Sequence, residues 1–267
     1  MNPWLAICRG AVEDVRAVLD RMPTRETREP VVGAGVGGDD TTAIDAAAEE
    51  AIVARLEAAH RDGLEFTLVS EELGERSFGG STTVVIDPID GSVNSKRGIP
   101  FFALSVAVAA GARMDDVHYG YVYDFGSGEE WTAERGAGAA LNAEALGAVR
   151  PKNPIEILSF EGTVTPSIAD HATQFVGLAE RLRVMGSLAL SLCHLAAGRV
   201  DAVCSLKEAR AVDIAAAQLL VRECGLAIDL PEAPPFAGAP LDTKGRSRVV
   251  AGATPEVCRD LAAALLG

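Results

Sequence analysis

The chain has 267 residues, 48% of them hydrophobic and 23% charged, with a formal net charge of −14 at pH 7. That length supports one large domain or two modest ones around a substantial core, and the composition excludes a disordered chain. The acid excess argues against a nucleic-acid binder, which neutralises phosphates with a basic face, and an acidic protein that handles phosphates needs bound divalent cations to offset like-charge repulsion.

The N-terminal segment up to about Arg21 has helical spacing, and its interruption by Arg9, Glu13, Asp14 and Arg16 is unlike a signal peptide. The stretch PTRETREP, punctuated by two prolines, ends that helix. VVGAGVGGDD follows and reads as a flexible loop near the chemistry. Its GAGVGG string satisfies the dinucleotide-binding pattern, but only EPVV precedes it, and no strand-ending acid follows about 20 residues on, as that pattern requires. TTAIDAAAEEAIVARLEAAHRDG is a helix closed by Gly63.

EFTLVS and STTVVID are short strands separated by a polar connection, each with acids at its C-terminal end. The most apolar run, 99–112, is too short to span a membrane and reads as a buried strand; it belongs to an antiparallel meander from Phe101 to about Leu141. After Pro154 strands and helices alternate: IEILSF, a helix after Pro166, RLRVMG, a helix from about Ser187, RVDAVC, a helix from about Ala211 to Cys224, GLAIDL, and a last strand and helix. This divides the chain into an N-terminal α+β half, 1–150, and a C-terminal α/β half, 151–267. Five scattered cysteines without a Cys-x-x-Cys pair indicate core packing in a reducing cytoplasm, and the four histidines lack metal-ligand spacing.

The densest chemical signal is VVIDPIDGSVN. Asp87 and Asp90 flank a proline-fixed turn, which lets both carboxylates and the Ile89 carbonyl converge, and oxygen-only ligands suit magnesium or manganese. Gly91 and Ser92 then begin a helix or turn whose backbone N–H groups can hold a phosphate. Asp, Pro and Gly are also the commonest turn residues, so the string alone fits an ordinary turn. Glu71 and Glu72, at the end of the preceding strand, shift the balance towards a metal site. Asp213, in ARAVDIAAAQLL, fits such a site and equally a helix N-terminal acid.

In order across nearly the whole chain, GDDTTAID, SEELG, VVIDPIDGSVN and AVDIAAAQLLVRECG resemble the inositol monophosphatase family of lithium-sensitive, metal-dependent phosphatases. The resemblance implies an α/β (α+β) fold layered α-β-α-β-α, commonly a homodimer, that acts on a small-molecule phosphate ester with two or three Mg2+ ions; the charge and the short apolar run lead to the expectation of no nucleic-acid or membrane partner. It implies that Glu71, Asp87 and the Ile89 carbonyl hold a first, catalytic metal, and that Asp87, Asp90 and Asp213 hold a second. Asp45 and the Ser92 hydroxyl would orient the attacking water. Asp90, Gly91 and Ser92, with the turn at Gly186 and Ser187, would face the substrate.

The sequence departs from the family pattern at Ser92, usually Thr, at Val212, often Trp, and at Ser95 and Ala217. GIPFFA and the DIAA helix resemble instead the archaeal-type members, which also hydrolyse fructose 1,6-bisphosphate. A second substrate phosphate needs cations, and Arg183, Lys207 and Arg210 are the candidates. Val93 and Asn94 stand where relatives acting on 3′-phosphoadenosine 5′-phosphate or histidinol phosphate carry Lys-Glu or Lys-Ser. A non-catalytic interaction protein with this fold should have lost some ligands, because buried carboxylates without cations are costly; here all the matched ligands remain.

Overall fold

The computed structural model describes residues 2–36, 38, 40–162, 164–233 and 235–267. The helices are α1 (Pro3–Arg21), α2 (Arg25–Arg28), α3 (Ala43–Arg61), α4 (Ser92–Arg97), α5 (Thr165–Ala172), α6 (Leu188–Ala196), α7 (Ala211–Ile214), α8 (Ala217–Glu223) and α9 (Pro255–Leu266). The strands are β1 (Val31–Ala34), β2 (Asp40–Thr42), β3 (Thr67–Ser70), β4 (Gly74–Ser77), β5 (Thr83–Asp90), β6 (Ala103–Ala109), β7 (Val117–Asp124), β8 (Glu130–Glu134), β9 (Gly138–Leu141), β10 (Glu144–Ala145), β11 (Ile155–Glu161), β12 (Ala179–Arg183), β13 (Ala202–Ser205), β14 (Ala227–Asp229) and β15 (Val250–Gly252).

Side-chain alternation on the strands builds the layers. In an eight-stranded sheet ordered β10-β9-β8-β7-β6-β5-β3-β4, one face carries Leu68, Val84, Ile86, Leu104, Val106 and Tyr121. These pack on α1 and α3, whose buried residues, such as Val12, Val15, Ala48 and Ile52, recur every three or four positions. The opposite face uses smaller residues, including Ala103 and Ala107, and so admits α6 and α8 closely. Gly120 marks the tightest approach, since a Cβ there would lie 2.6 Å from the Ala216 carbonyl oxygen.

A five-stranded sheet ordered β12-β11-β13-β15-β14 covers α6 and α8 from the other side through Val203 and Ala251. Its outer face buries Leu158, Phe160 and Cys204 under α9. The layers therefore run α-β-α-β-α. All five cysteines are buried and unpaired, and no helix among the described residues is long and apolar enough to cross a membrane.

Four segments differ from the sequence expectations. The linker PTRETREP contains α2, held by the Arg28 guanidinium on the Ser95 carbonyl (2.9 Å). Much of the glycine-rich stretch is an antiparallel β1–β2 hairpin, while Gly37 and Asp39 of the sequence motifs lie outside the described residues. The polar connection after β3 contains β4, a short exposed edge strand whose charged residues mask its pairing with β3. The helix expected over 211–224 breaks into α7 and α8. The buried Gln218 amide donates to the Ala215 carbonyl (3.2 Å), and Leu219 N–H turns to Ala216 instead (3.1 Å).

Candidate active site

The site forms where β3, running parallel to β5, ends with Ser70 paired to Ile86 while β5 continues to Asp90. This places Glu71 beside Asp87, at the carboxyl end of adjacent parallel strands, where clefts form in α/β proteins. Asp87 and Asp90 are three residues apart and would point to opposite faces of a regular strand. The β5–β6 ladder solves this with a bulge: Asp87 pairs with Ser105, but Asp90 pairs with Ala103, so β5 carries one extra residue. Both carboxylates consequently line the same cleft.

Each acid is held from outside. Asp87 Oδ1 accepts the Ile89 N–H (2.9 Å), and the Ile89 carbonyl accepts the Ser92 hydroxyl (3.1 Å). Asp90 Oδ2 accepts the Ser187 hydroxyl and the Ala189 N–H (2.8 Å), joining β5 to the start of α6. Glu49 of α3 accepts the Ser70 hydroxyl and the N–H groups of Glu72 (3.2 Å) and Leu73 (3.0 Å), fixing the turn that carries Glu71. At the entry to α3, Asp45 Oδ2 accepts the Thr42 hydroxyl (2.5 Å) and its N–H (3.3 Å). Gly91 adopts φ 97°, and a Cβ there would meet the carbonyl oxygens of Phe101 (3.0 Å) and Gly186 (3.2 Å), so only glycine fits.

The cleft has a volume of about 310 Å³ and is lined by Asp45, Glu71, Asp87, Asp90, Asp213 and their neighbours. Nine carboxylates and three cations line it among the described residues. Burial pushes Glu71 up to about 7, aided by the charge of Asp213. Burial also raises Asp90 to about 7, against the pull of the Ser187 hydroxyl. Asp87 is raised well above the usual carboxylate range by burial and then by Glu71 and Asp90. Burial raises Asp45 too, partly offset by Thr42 and Ser92.

Of the expected substrate residues, Gly91, Ser92, Gly186, Lys207 and Arg210 line the cleft. Ser187 lies behind it, buried on Asp90. Arg183 does not line it: that side chain is exposed on β12, the edge of the second sheet, and donates to the Leu182 carbonyl (2.9 Å). Arg210 is not displayed to solvent for a phosphate. Its guanidinium is 3% exposed, ion-paired with Glu71 and 3.6 Å from Asp213.

The donor chemistry fits hard cations. It is all oxygen, the carboxylates raise one another's pKa, and Asp45 Oδ1 is buried without a hydrogen-bond partner among the described residues. As they stand, no three of the described acids are drawn close enough together to hold a metal ion, and Arg210 bridges two of them.

Comparison with known proteins agrees with this geometry. The model of the inositol monophosphatase family matches residues 5–265. The chain belongs to the inositol monophosphatase family. It is 37% identical over 224 residues to a fructose-1,6-bisphosphatase/inositol-1-monophosphatase of Thermococcus kodakarensis, covering 83% of this chain and 82% of the relative. It is 35% identical over 233 residues to the Nus factor SuhB of Pasteurella multocida, covering 84% of each. The crystal structure of an inositol monophosphatase-fructose 1,6 bisphosphatase superposes with a TM-score of 0.84 at 28% identity, covering 98% of this chain and 99% of that one. As a member of this inositol monophosphatase family, the protein is a phosphatase of a metal-dependent type.

Sequence reasoning passed over Glu161, Glu49 and Lys96. Glu161 lines the cleft, accepts the Gly186 N–H (2.9 Å) and the hydroxyls of Ser159 (2.9 Å) and Ser191 (2.7 Å), and shapes the turn before α6. Its signal was an acid closing the strand IEILSFE, the same cue that marked Glu71. Glu49, on a helix with several glutamates, has no comparable cue.

Proposed function

We propose that this phosphatase hydrolyses the phosphate monoester of a small polyol or sugar, inositol 1-phosphate or fructose 1,6-bisphosphate, with two or three Mg2+ ions, for which Mn2+ can substitute. The observation that carries this reading is that Asp45, Glu71, Asp87, Asp90 and Asp213 line one cleft, with Asp45 Oδ1 buried and without a hydrogen-bond partner among the described residues. Glu71, Asp87, the Ile89 carbonyl, Asp90 and Asp213 would hold the ions. When bound, the ions neutralise the phosphate dianion, acidify water and stabilise the leaving alkoxide.

The chain's own groups orient the attack. Asp45, fixed by Thr42 and near the Ser92 hydroxyl, keeps one oxygen without a partner among the described residues to hold a water and take its proton, and its raised pKa makes it a better base than an exposed aspartate. Gly91, Ser92 and Gly186 form the wall facing the ester. Lys207 also lines the cleft, and its positive charge favours a substrate with a second phosphate. The names of the Thermococcus relative and of the superposed crystal structure support both candidate esters.

The division into halves 1–150 and 151–267, with the metal motifs in the first and Asp213 completing the site from the second, is part of this proposal. So is a cytoplasmic homodimer, supported by the buried free thiols and the family resemblance; sedimentation at twice the 27.8 kDa chain mass checks the dimer. The central test is phosphate release from each ester with and without Mg2+, alongside Asp90→Asn. Mg2+-dependent turnover that falls at least about a hundredfold in the variant is expected. A folded, Mg2+-saturated protein inactive on both esters and on a wider sugar-phosphate panel would sink the proposal.

A further inference from the structure

Arg210 is the deepest of the three cleft cations, 3% exposed, whereas Lys207 is exposed and Lys96 half-buried. It caps α7, and its own N–H donates to Asp213 Oδ2 (2.6 Å). The other Asp213 oxygen thereby faces the guanidinium, with Oδ1 3.6 Å from Nη2. The same Nη2 donates to Glu71, a residue 139 positions away on the other half of the chain. Burial works against the Arg210 charge, but Asp213 and Glu71 outweigh it and hold its pKa above the ordinary arginine value.

Carboxylates gathered out of water are stable only with protons or cations among them. An arginine never surrenders its proton in a protein, and its planar fork can reach two carboxylates at once. We propose that Arg210 is the resident counter-ion of the metal-free cleft. It occupies the space between Glu71 and Asp213, competes with divalent cations for these carboxylates, and must release Glu71 before metal can bind. The inference rests on the metal-dependent reading above.

A long side chain can make that exchange by rotamer changes, with the α7 backbone and its Asp213 contact kept in place. The apparent metal affinity is then the intrinsic affinity reduced by the fraction of molecules whose guanidinium has already left. Removing the competitor should tighten metal binding and, at the same time, loosen the metal-free protein. A residue that only braces the fold, or only binds substrate phosphate, would do neither in combination.

The test compares wild type, Arg210→Gln and Arg210→Lys by calorimetric titration with Mg2+, by Mn2+ binding followed by electron paramagnetic resonance, and by melting of the metal-free proteins. Arg210→Gln is expected to melt lower without metal and to bind Mg2+ about tenfold more tightly, the factor for a closed state populated about ten to one. Its melting temperature should rise more on metal addition than that of wild type. Arg210→Lys, whose point charge reaches one carboxylate at a time, should fall between. Unchanged or weaker metal binding in a folded Arg210→Gln overturns the proposal. If the glutamine variant does not fold, the lysine variant decides: tighter binding than wild type supports the competition and equal affinity overturns it. Wild type that binds no Mg2+ overturns this inference together with the metal-dependent reading, whereas wild type that binds Mg2+ with an affinity equal to the variants overturns this inference alone.

Discussion

Replacing Ser187 by alanine removes two interactions that one hydroxyl makes. As the N-cap of α6 it accepts the Leu190 N–H (3.3 Å), and as a donor it bonds the buried Asp90 carboxylate, with the side chain 1% exposed. Loss of an N-cap costs about 1 kcal/mol. A buried hydrogen bond to a charged group contributes about 1.5–3 kcal/mol. Ser187→Ala should therefore lower stability by about 2.5–4 kcal/mol in urea unfolding of the metal-free protein above neutral pH, where Asp90 is ionised. Among the described residues, Asp90 then retains only the Ala189 N–H at 2.8 Å. The Ser187 hydroxyl also pulls the Asp90 pKa down, so its loss should raise that pKa further and move the pH midpoint of Mg2+-dependent activity in the alkaline direction. A loss below about 0.5 kcal/mol, the size of an ordinary surface change, together with an unmoved midpoint, would refute the argument that this hydroxyl holds Asp90.

The raised acids also predict a pH dependence. Glu71 and Asp90 sit at about 7 in the fold against ordinary values of 4.5 and 3.8, so between roughly pH 4 and 7 the folded protein keeps protons that the unfolded chain has released. Their contribution is present below that window and lost as pH rises through it: metal-free protein should melt lower at pH 8 than at pH 5, with Mg2+ narrowing the gap, and a profile that rises over this interval would count against the site electrostatics. Where the eight-stranded sheet meets the middle helical layer, Gly120→Ala forces a methyl to 2.6 Å from the Ala216 carbonyl, and β7 must part from the backbone at the start of α8. Overpacking of this kind costs about 1–3 kcal/mol in denaturant unfolding, and an unchanged midpoint would mean the two layers are less closely packed than described.

Much of the site was legible in the sequence because its signals are local. A strand of β-branched residues ending in an acid and a proline-fixed turn each depend on neighbours a few residues away, and Glu71, Asp87 and Asp90 were found by such cues, whereas Asp45 came from the family resemblance. The helices α1, α3, α6 and α9 and the meander β6–β9 were read from periodicity for the same reason. The short edge strand β4 was not, since its charged residues suit solvent and its pairing is supplied by β3. The α7–α8 break was hidden because it depends on where the Gln218 amide turns.

The sequence by itself determined the family, the alternation that stacks the layers and the identity of the acids, since these follow from residue type and spacing. Tertiary structure alone decided what each acid meets. The bulge between Asp87 and Asp90 exists only in register with β6. Ser187 reaches Asp90 across 97 residues, and Arg210 reaches Glu71 across 139. Side-chain chemistry is written in the chain, but the electrostatic partners of a buried charge are set by which distant segments fold against it, and no local pattern carries that information.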